Sequence, residues 1–162
     1  MNKKAILIAV FLFGGSYVAW AMRRKKLGVF RSPVSSSMIR DCDLEGCGHF
    51  GADRGAEKHE GIDIVSLPAE SVFAPIGGVV RPLTVYDYSS EMKGIEITDG
   101  PVRMKIFYLD TPLKNGDVIK KGQKIGVTQD VASFHNAPRM VNHLHIELYI
   151  NGVLTDPTNF LR

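Results

Sequence analysis

Residues 141–150 read Val-Asn-His-Leu-His-Ile-Glu-Leu-Tyr-Ile, with apolar side chains at 144, 146, 148 and 150 alternating with polar or aromatic ones. A period of two predicts a strand with one buried face. Successive strand side chains point to opposite faces, so His143 and His145 share one face, about 7 Å apart at the backbone, while Leu144 and Ile146 point into the other layer. A second stretch, His59-Glu60-Gly61-Ile62-Asp63-Ile64-Val65, predicts a short strand opened by a glycine. Gly61 and the β-branched run disfavour a helix there. On an extended chain, positions 59, 61 and 63 share a face, and Gly61 removes a side chain that would crowd an ion held by His59 and Asp63. Residues 78–83, 94–98 and 102–109 also alternate as strands. Asp99-Gly100 and Asn151-Gly152 are two-residue hairpin signals. Residues 86–93, polar and aromatic, predict a rim loop. The pattern is that of a mainly β, antiparallel domain with few helices.

Residues 5–22 break this pattern, being uncharged and mostly apolar between Lys3-Lys4 and the run Arg23-Arg24-Lys25-Lys26. As a helix this stretch spans about 27 Å, enough for a bilayer core. It reads as an uncleaved transmembrane anchor, with Tyr17 and Trp20 near one interface, or as a signal peptide ending at Ala19-Trp20-Ala21. The basic run directly after it disfavours export and favours the anchor. Residues 23–38, basic and then Ser-rich, lack apolar periodicity and predict a linker. The folded domain is expected over residues 39–162.

Composition narrows the class. A chain of 162 residues with 44% hydrophobic content is one domain plus an extra segment. The formal charge of +3 is concentrated in the basic groups around residues 5–22. The remainder is close to neutral, which offers no footprint for nucleic acid. Gly 16 and Pro 8 with 9% aromatics fit a turn-rich β domain.

Both cysteines lie in Asp41-Cys42-Asp43-Leu44-Glu45-Gly46-Cys47-Gly48. A zinc knuckle would need two more close ligands, and His49 is the one at hand. Behind an export signal the pair reads as a disulfide; in a cytosolic chain it would be two free thiols. A ring so small would contribute about 2 kcal/mol.

If the two histidine-bearing strands are neighbours, His59, Asp63, His143 and His145 converge. Two histidines and a carboxylate are a common catalytic zinc set that leaves a position open for water. His59-x-x-x-Asp63 followed by His143-x-His145 resembles the lysostaphin-type zinc metallopeptidases, which have the duplicated hybrid motif fold and cut peptide cross-links of bacterial cell walls. Gly48-His49-Phe50-Gly51 with Arg54 resembles the family's Gly-x-Phe-Gly-x-Arg opening loop, with one extra residue before Arg54. Residues 71–80 resemble its Gly-x-Val strand pair, residues 115–126 its Gly-Asp-x-Val hairpin, and Asp156-Pro157 its C-terminal Asp-Pro. The resemblance implies one zinc ion held by His59, Asp63 and His145, with His143 beside them as general base and Arg54 close behind. It implies a peptidoglycan peptide as partner, or another extracellular ligand. The domain would lie on the extracytoplasmic side of a membrane, in a bacterial envelope or a virus crossing one, or would be secreted.

Two features resemble instead the leukocyte cell-derived chemotaxin 2 group of the same fold, whose members are secreted signalling proteins. One is Arg40-Asp41-Cys42 through Gly48, where the resemblance implies a Cys42–Cys47 disulfide. The other is Arg103-Met104-Lys105-Ile106-Phe107-Tyr108-Leu109. The peptidases carry a further histidine on this strand; here Tyr108 falls at or next to its position. A phenol can donate to an oxyanion but carries no charge. His135, in a loop leading back toward His143, can supply a group the strand lacks. The two expectations are therefore a membrane-anchored cell-wall peptidase and a non-catalytic zinc-binding recognition domain.

Overall fold

The structure, a computed structural model, describes residues 28–161. The helix expected over residues 1–22 and the first part of the expected linker lie outside the described residues. Among those described, no helix is long and apolar enough to cross a membrane. In chain order the elements are β1 (Ile62–Val65), β2 (Ser71–Phe73), β3 (Gly78–Tyr86), β4 (Ser89–Asp99), β5 (Val102–Phe107), β6 (Leu109–Asp110), β7 (Val118–Ile119), β8 (Lys124–Thr128), a one-turn helix α1 (Val131–Phe134), β9 (His143–Ile150), β10 (Val153–Thr155) and a closing 3-10 turn (Pro157–Phe160).

The strands form two antiparallel sheets. The larger runs β1-β9-β5-β4-β3-β7, with β10 continuing the β1 edge of β9. The smaller runs β2-β8-β6. The alternation in β9 does what a period of two requires: Leu144, Ile146 and Leu148 are fully buried. They join Ile62 and Ile64 of β1, Met104 and Ile106 of β5, and Ile95 and Ile97 of β4 in one core with Val72, Leu109 and Ile125 of the small sheet. Each such side chain contributes about 1.5–3 kcal/mol on burial. The opposite face of the large sheet carries His143, His145, Glu147, Asp63, Lys105 and Glu96.

Four expectations are corrected. The rim loop over residues 86–93 is mostly strand: β3 and β4 run on to Tyr86 and from Ser89, pairing Tyr86 with Ser89. Met92, on β4 within that stretch, is buried. Residues 115–126 do not pair as a hairpin, because β7 joins β3 in the large sheet and β8 joins β2 and β6 in the small one. Residues 28–38 are not free chain: Phe30 and Val34 are buried in the core. Phe30 stacks on Phe160 with ring centroids 5.9 Å apart, and it bridges to Leu161 at the other end of the domain. The Asp99-Gly100 signal lands one residue early. The turn is centred on Gly100-Pro101, with Asp99 paired to Val102 and Gly100 at φ 58°.

Because Phe30 is core and not linker, Phe30→Ala should cost about 3 kcal/mol of unfolding free energy, read by urea denaturation of the full chain. A loss below about 1 kcal/mol would return residues 28–38 to linker.

Candidate metal centre

The site is built by the register between β1 and β9. Asp63 lies directly opposite His145, and Val65 opposite His143. On the other side of β9, Phe107 of β5 is opposite His145 and stacks on its ring at 5.5 Å. His59 precedes β1 and folds back over it. Its close approach depends on Gly61, where a Cβ would sit 2.8 Å from His145 Cε1 and would also strike the Ile146 carbonyl. No side chain fits there.

Three donor atoms meet. His59 Nε2 is 3.1 Å from Asp63 Oδ1 and 2.9 Å from His145 Nδ1, and His145 Nδ1 is 3.0 Å from Asp63 Oδ1. Ligands on bonds of about 2.0–2.1 Å at tetrahedral angles would sit about 3.3 Å apart, so the triangle has the dimensions of one face of a zinc site. The tautomers point the same way. His59 donates Nδ1–H to the His49 carbonyl at 2.8 Å, which leaves Nε2 with a lone pair. His145 Nε2 lies 3.6 Å from Glu147 Oε1, which favours the proton on Nε2 and leaves Nδ1 with a lone pair. With Asp63 ionised, three acceptors face one point with no proton between them, an arrangement that a cation satisfies. The donor set therefore fits zinc.

Burial opposes ionisation of Asp63, yet the surrounding imidazoles of His145, His59 and His143 hold its carboxyl far below the usual carboxylate range. Its second oxygen, Oδ2, accepts from Arg40 Nη2 at 2.9 Å and Arg54 Nη2 at 3.2 Å. Arg40 is buried and also pairs with Asp43 at 2.5 Å. Glu147 is held near 2: burial raises it, and His145, Lys105 and Tyr149 more than offset that. Lys105 Nζ and the Tyr149 hydroxyl each reach Glu147 Oε2 at 2.7 Å.

His143 shares the face of His145. It donates Nδ1–H to the Val141 carbonyl at 2.8 Å, and its Nε2 lies 3.7 Å from Asp63 Oδ2. Burial lowers its pKa more than the charge of Asp63 raises it. Tyr108 sits between β5 and β6 at φ 68°, a conformation unusual for a bulky residue and found mostly at functional sites. Its ring meets His143 edge-on at 5.4 Å. Burial raises its pKa, so the phenol stays protonated. Tyr86 Oη is 3.1 Å from Tyr108 Oη and 2.8 Å from His135 Nε2. His135 follows α1, which is latched to the His143 strand by Asn142: the side chain donates to Asp130 at 3.0 Å and accepts from Ala132 N–H at 3.1 Å. His59, Asp63, His145, His143, Tyr108 and His135 all line one cleft of about 350 Å³.

Every site residue expected from the sequence lines this cleft except the cysteines, which form a Cys42–Cys47 disulfide at its edge. Three groups were missed. Glu147 lies two residues beyond His145, on the same strand face, and the period of two could have found it. Tyr86 lay in the expected loop. Arg40 reaches Asp63 across 23 residues of sequence, a separation that carries no local signal.

A family model, Peptidase family M23, matches residues 57–157. Leukocyte cell-derived chemotaxin-2 of Bos taurus is 33% identical over 129 residues, covering 78% of this chain and 82% of that protein. The catalytic domain of the antimicrobial peptidase lysostaphin from Staphylococcus simulans shares the fold, with TM-score 0.53 and 24% identity over 71% of this chain and 87% of that one. Helicobacter pylori Csd3 does so with TM-score 0.60 and 22% identity over 83% of this chain. The chain spans about a third of that Csd3 chain, 33% of its length.

The full chain should purify with about one equivalent of zinc. His59→Ala, Asp63→Ala and His145→Ala should each lose it, as read by elemental analysis of the folded protein. Full zinc content in all three variants would place the ion elsewhere.

Proposed function

This chain belongs to peptidase family M23, and on that premise we propose that it is a zinc-dependent endopeptidase for the peptide cross-links of cell-wall peptidoglycan. It is held to a membrane by residues 5–22 with its domain on the extracytoplasmic side, at a bacterial envelope or in a virus crossing one. The observation that carries this reading is the triangle of His59, Asp63 and His145 donors, no two more than 3.1 Å apart, beside an imidazole whose Nε2 is free. The disulfide supports the compartment, since such bonds persist outside the reducing cytosol.

Zinc in this triangle would bring the pKa of a bound water toward neutrality and polarise a peptide carbonyl. The chain's own residues supply the rest. His143, with its proton on Nδ1 and that N–H bonded to Val141, presents Nε2 to take the water's proton and later return it to the leaving amine. Tyr108 donates its hydroxyl to the carbonyl oxygen as negative charge develops there. For that, its own proton must be free. If His135 Nε2–H donates to Tyr86 and Tyr86 donates to Tyr108, the Tyr108 proton is left for the cleft. The aromatic contact of Tyr86 with Phe134, 5.6 Å and nearly parallel, holds this relay in place.

A second reading has its own support: the identity with chemotaxin-2 spans most of both chains, and a neutral Tyr108 falls at or next to the position where the resemblance gives the peptidases a histidine. In that reading the metal stabilises a recognition surface and no bond is cut.

Labelled peptidoglycan incubated with the zinc-loaded full chain separates the two. The peptidase reading expects peptide release, reduced about 100- to 10,000-fold in His143→Ala and about 100- to 1000-fold in Tyr108→Phe, with a smaller loss in Tyr86→Phe. No release from the fully loaded protein ends the peptidase reading and leaves the recognition domain.

A further inference from the structure

Two arginines join the disulfide ring to the Asp63 carboxylate. Arg40 places Nη2 and Nε at 2.9 and 3.3 Å from Asp63 Oδ2, and Arg54 places Nη2 at 3.2 Å from the same oxygen. Further guanidinium bonds go to three consecutive main-chain carbonyls of the ring, Glu45 to Cys47. Arg54 Nη1 donates to Glu45 O at 2.6 Å, Arg40 Nη1 to Gly46 O at 3.1 Å, and Arg54 Nη2 to Cys47 O at 3.0 Å. Asp43, inside the same ring, accepts from Arg40 at 2.5 Å and from the Val141 N–H at 3.4 Å, two residues before His143. Gly46, at φ 108°, turns the ring so that its carbonyls face inward, and a Cβ there would strike the Arg54 guanidinium.

We propose that the Cys42–Cys47 loop is a positioning clamp for the metal centre: it fixes Arg40 and Arg54, and they fix the carboxylate plane of Asp63. Opening the ring then weakens metal binding in a chain that stays folded. The inference rests on the metal reading of His59, Asp63 and His145. An Asp side chain has a broad, soft terminal torsion, so Asp63 Oδ1 stays in the donor triangle only if Oδ2 is held. Two guanidinium forks at one oxygen hold it. Their positive charge by itself opposes a nearby cation, so charge alone predicts tighter metal binding once an arginine is removed. Orientation predicts the reverse. Closing so short a ring constrains the unfolded chain little, which leaves the local role as its larger consequence.

The test is the zinc dissociation constant of the full chain in detergent, measured by competition with a chromophoric chelator, for the wild type and for Cys42→Ser/Cys47→Ser. Serines are preferable to a reductant, because Cys42, Cys47 and His49 have donor atoms within 4.8 Å of one another and freed thiols would bind zinc themselves. The clamp predicts binding about 10- to 100-fold weaker, the effect typical of losing a partner of a metal ligand. It also predicts a changed visible spectrum in the cobalt-saturated variant, which a mere loss of global stability would not produce. If the serine variant does not fold, Arg54→Lys, which keeps the charge and loses the fork, is held to the same two readouts. A dissociation constant weakened less than tenfold, or an unchanged cobalt spectrum, with normal wild-type binding, overturns the clamp alone. A wild type that takes up no zinc overturns the metal reading and this inference with it.

Discussion

The pairing of β1 with β9, with Asp63 opposite His145, is the constraint on which the rest of the structure depends. A slip of one residue would turn His145 into the core and Leu144 into the cleft. What prevents the slip lies on the other side of the sheet. Ile62, Ile64, Leu144 and Ile146 are all buried, at 0–1% exposure, and a wrong register would expose several of them at about 1.5–3 kcal/mol each. The apolar face therefore positions the polar one. Gly61 completes the arrangement by letting His59 and the His145 ring approach across the backbone.

The charged groups bordering the donor triangle are paired. Asp63 Oδ2 faces Arg40 and Arg54, and Glu147 faces Lys105 and Tyr149. Buried charges need such partners, because an unpaired one carries a large desolvation cost. At His59 Nε2, Asp63 Oδ1 and His145 Nδ1 three acceptors face each other without a donor between them. A cation there settles the electrostatics, and His143 and Tyr108 line the same cleft beside it. Tyr108 is held at its positive φ by main-chain bonds on both sides, its N–H to Lys93 and its carbonyl from Gln129.

Much of this was legible in the sequence where the signal is local. The period of two in residues 143–150 identified which histidines share a face, and Gly61 with the β-branched run after it identified the strand of Asp63. Family membership followed from those motifs and their order. What was not legible depends on distance or on neighbours. Phe30 and Val34 are isolated apolar residues in a Ser- and Pro-rich stretch, without periodicity, and only their packing against the C-terminal residues makes them core. Tyr86 read as loop because the tip of the long β3–β4 hairpin is polar and aromatic, although paired backbone carries it as strand. The residues from Asn115 to Gly126 read as a local hairpin, but their strands belong to different sheets. Arg40 had no periodic or motif signal that tied it to Asp63.

The most direct measurement is the X-ray absorption fine structure of zinc bound to the full chain. The account predicts nitrogen and oxygen neighbours only, at about 2.0–2.1 Å, with the multiple-scattering signature of two imidazoles. A sulfur neighbour at about 2.3 Å, or a shell without two imidazoles, would contradict it.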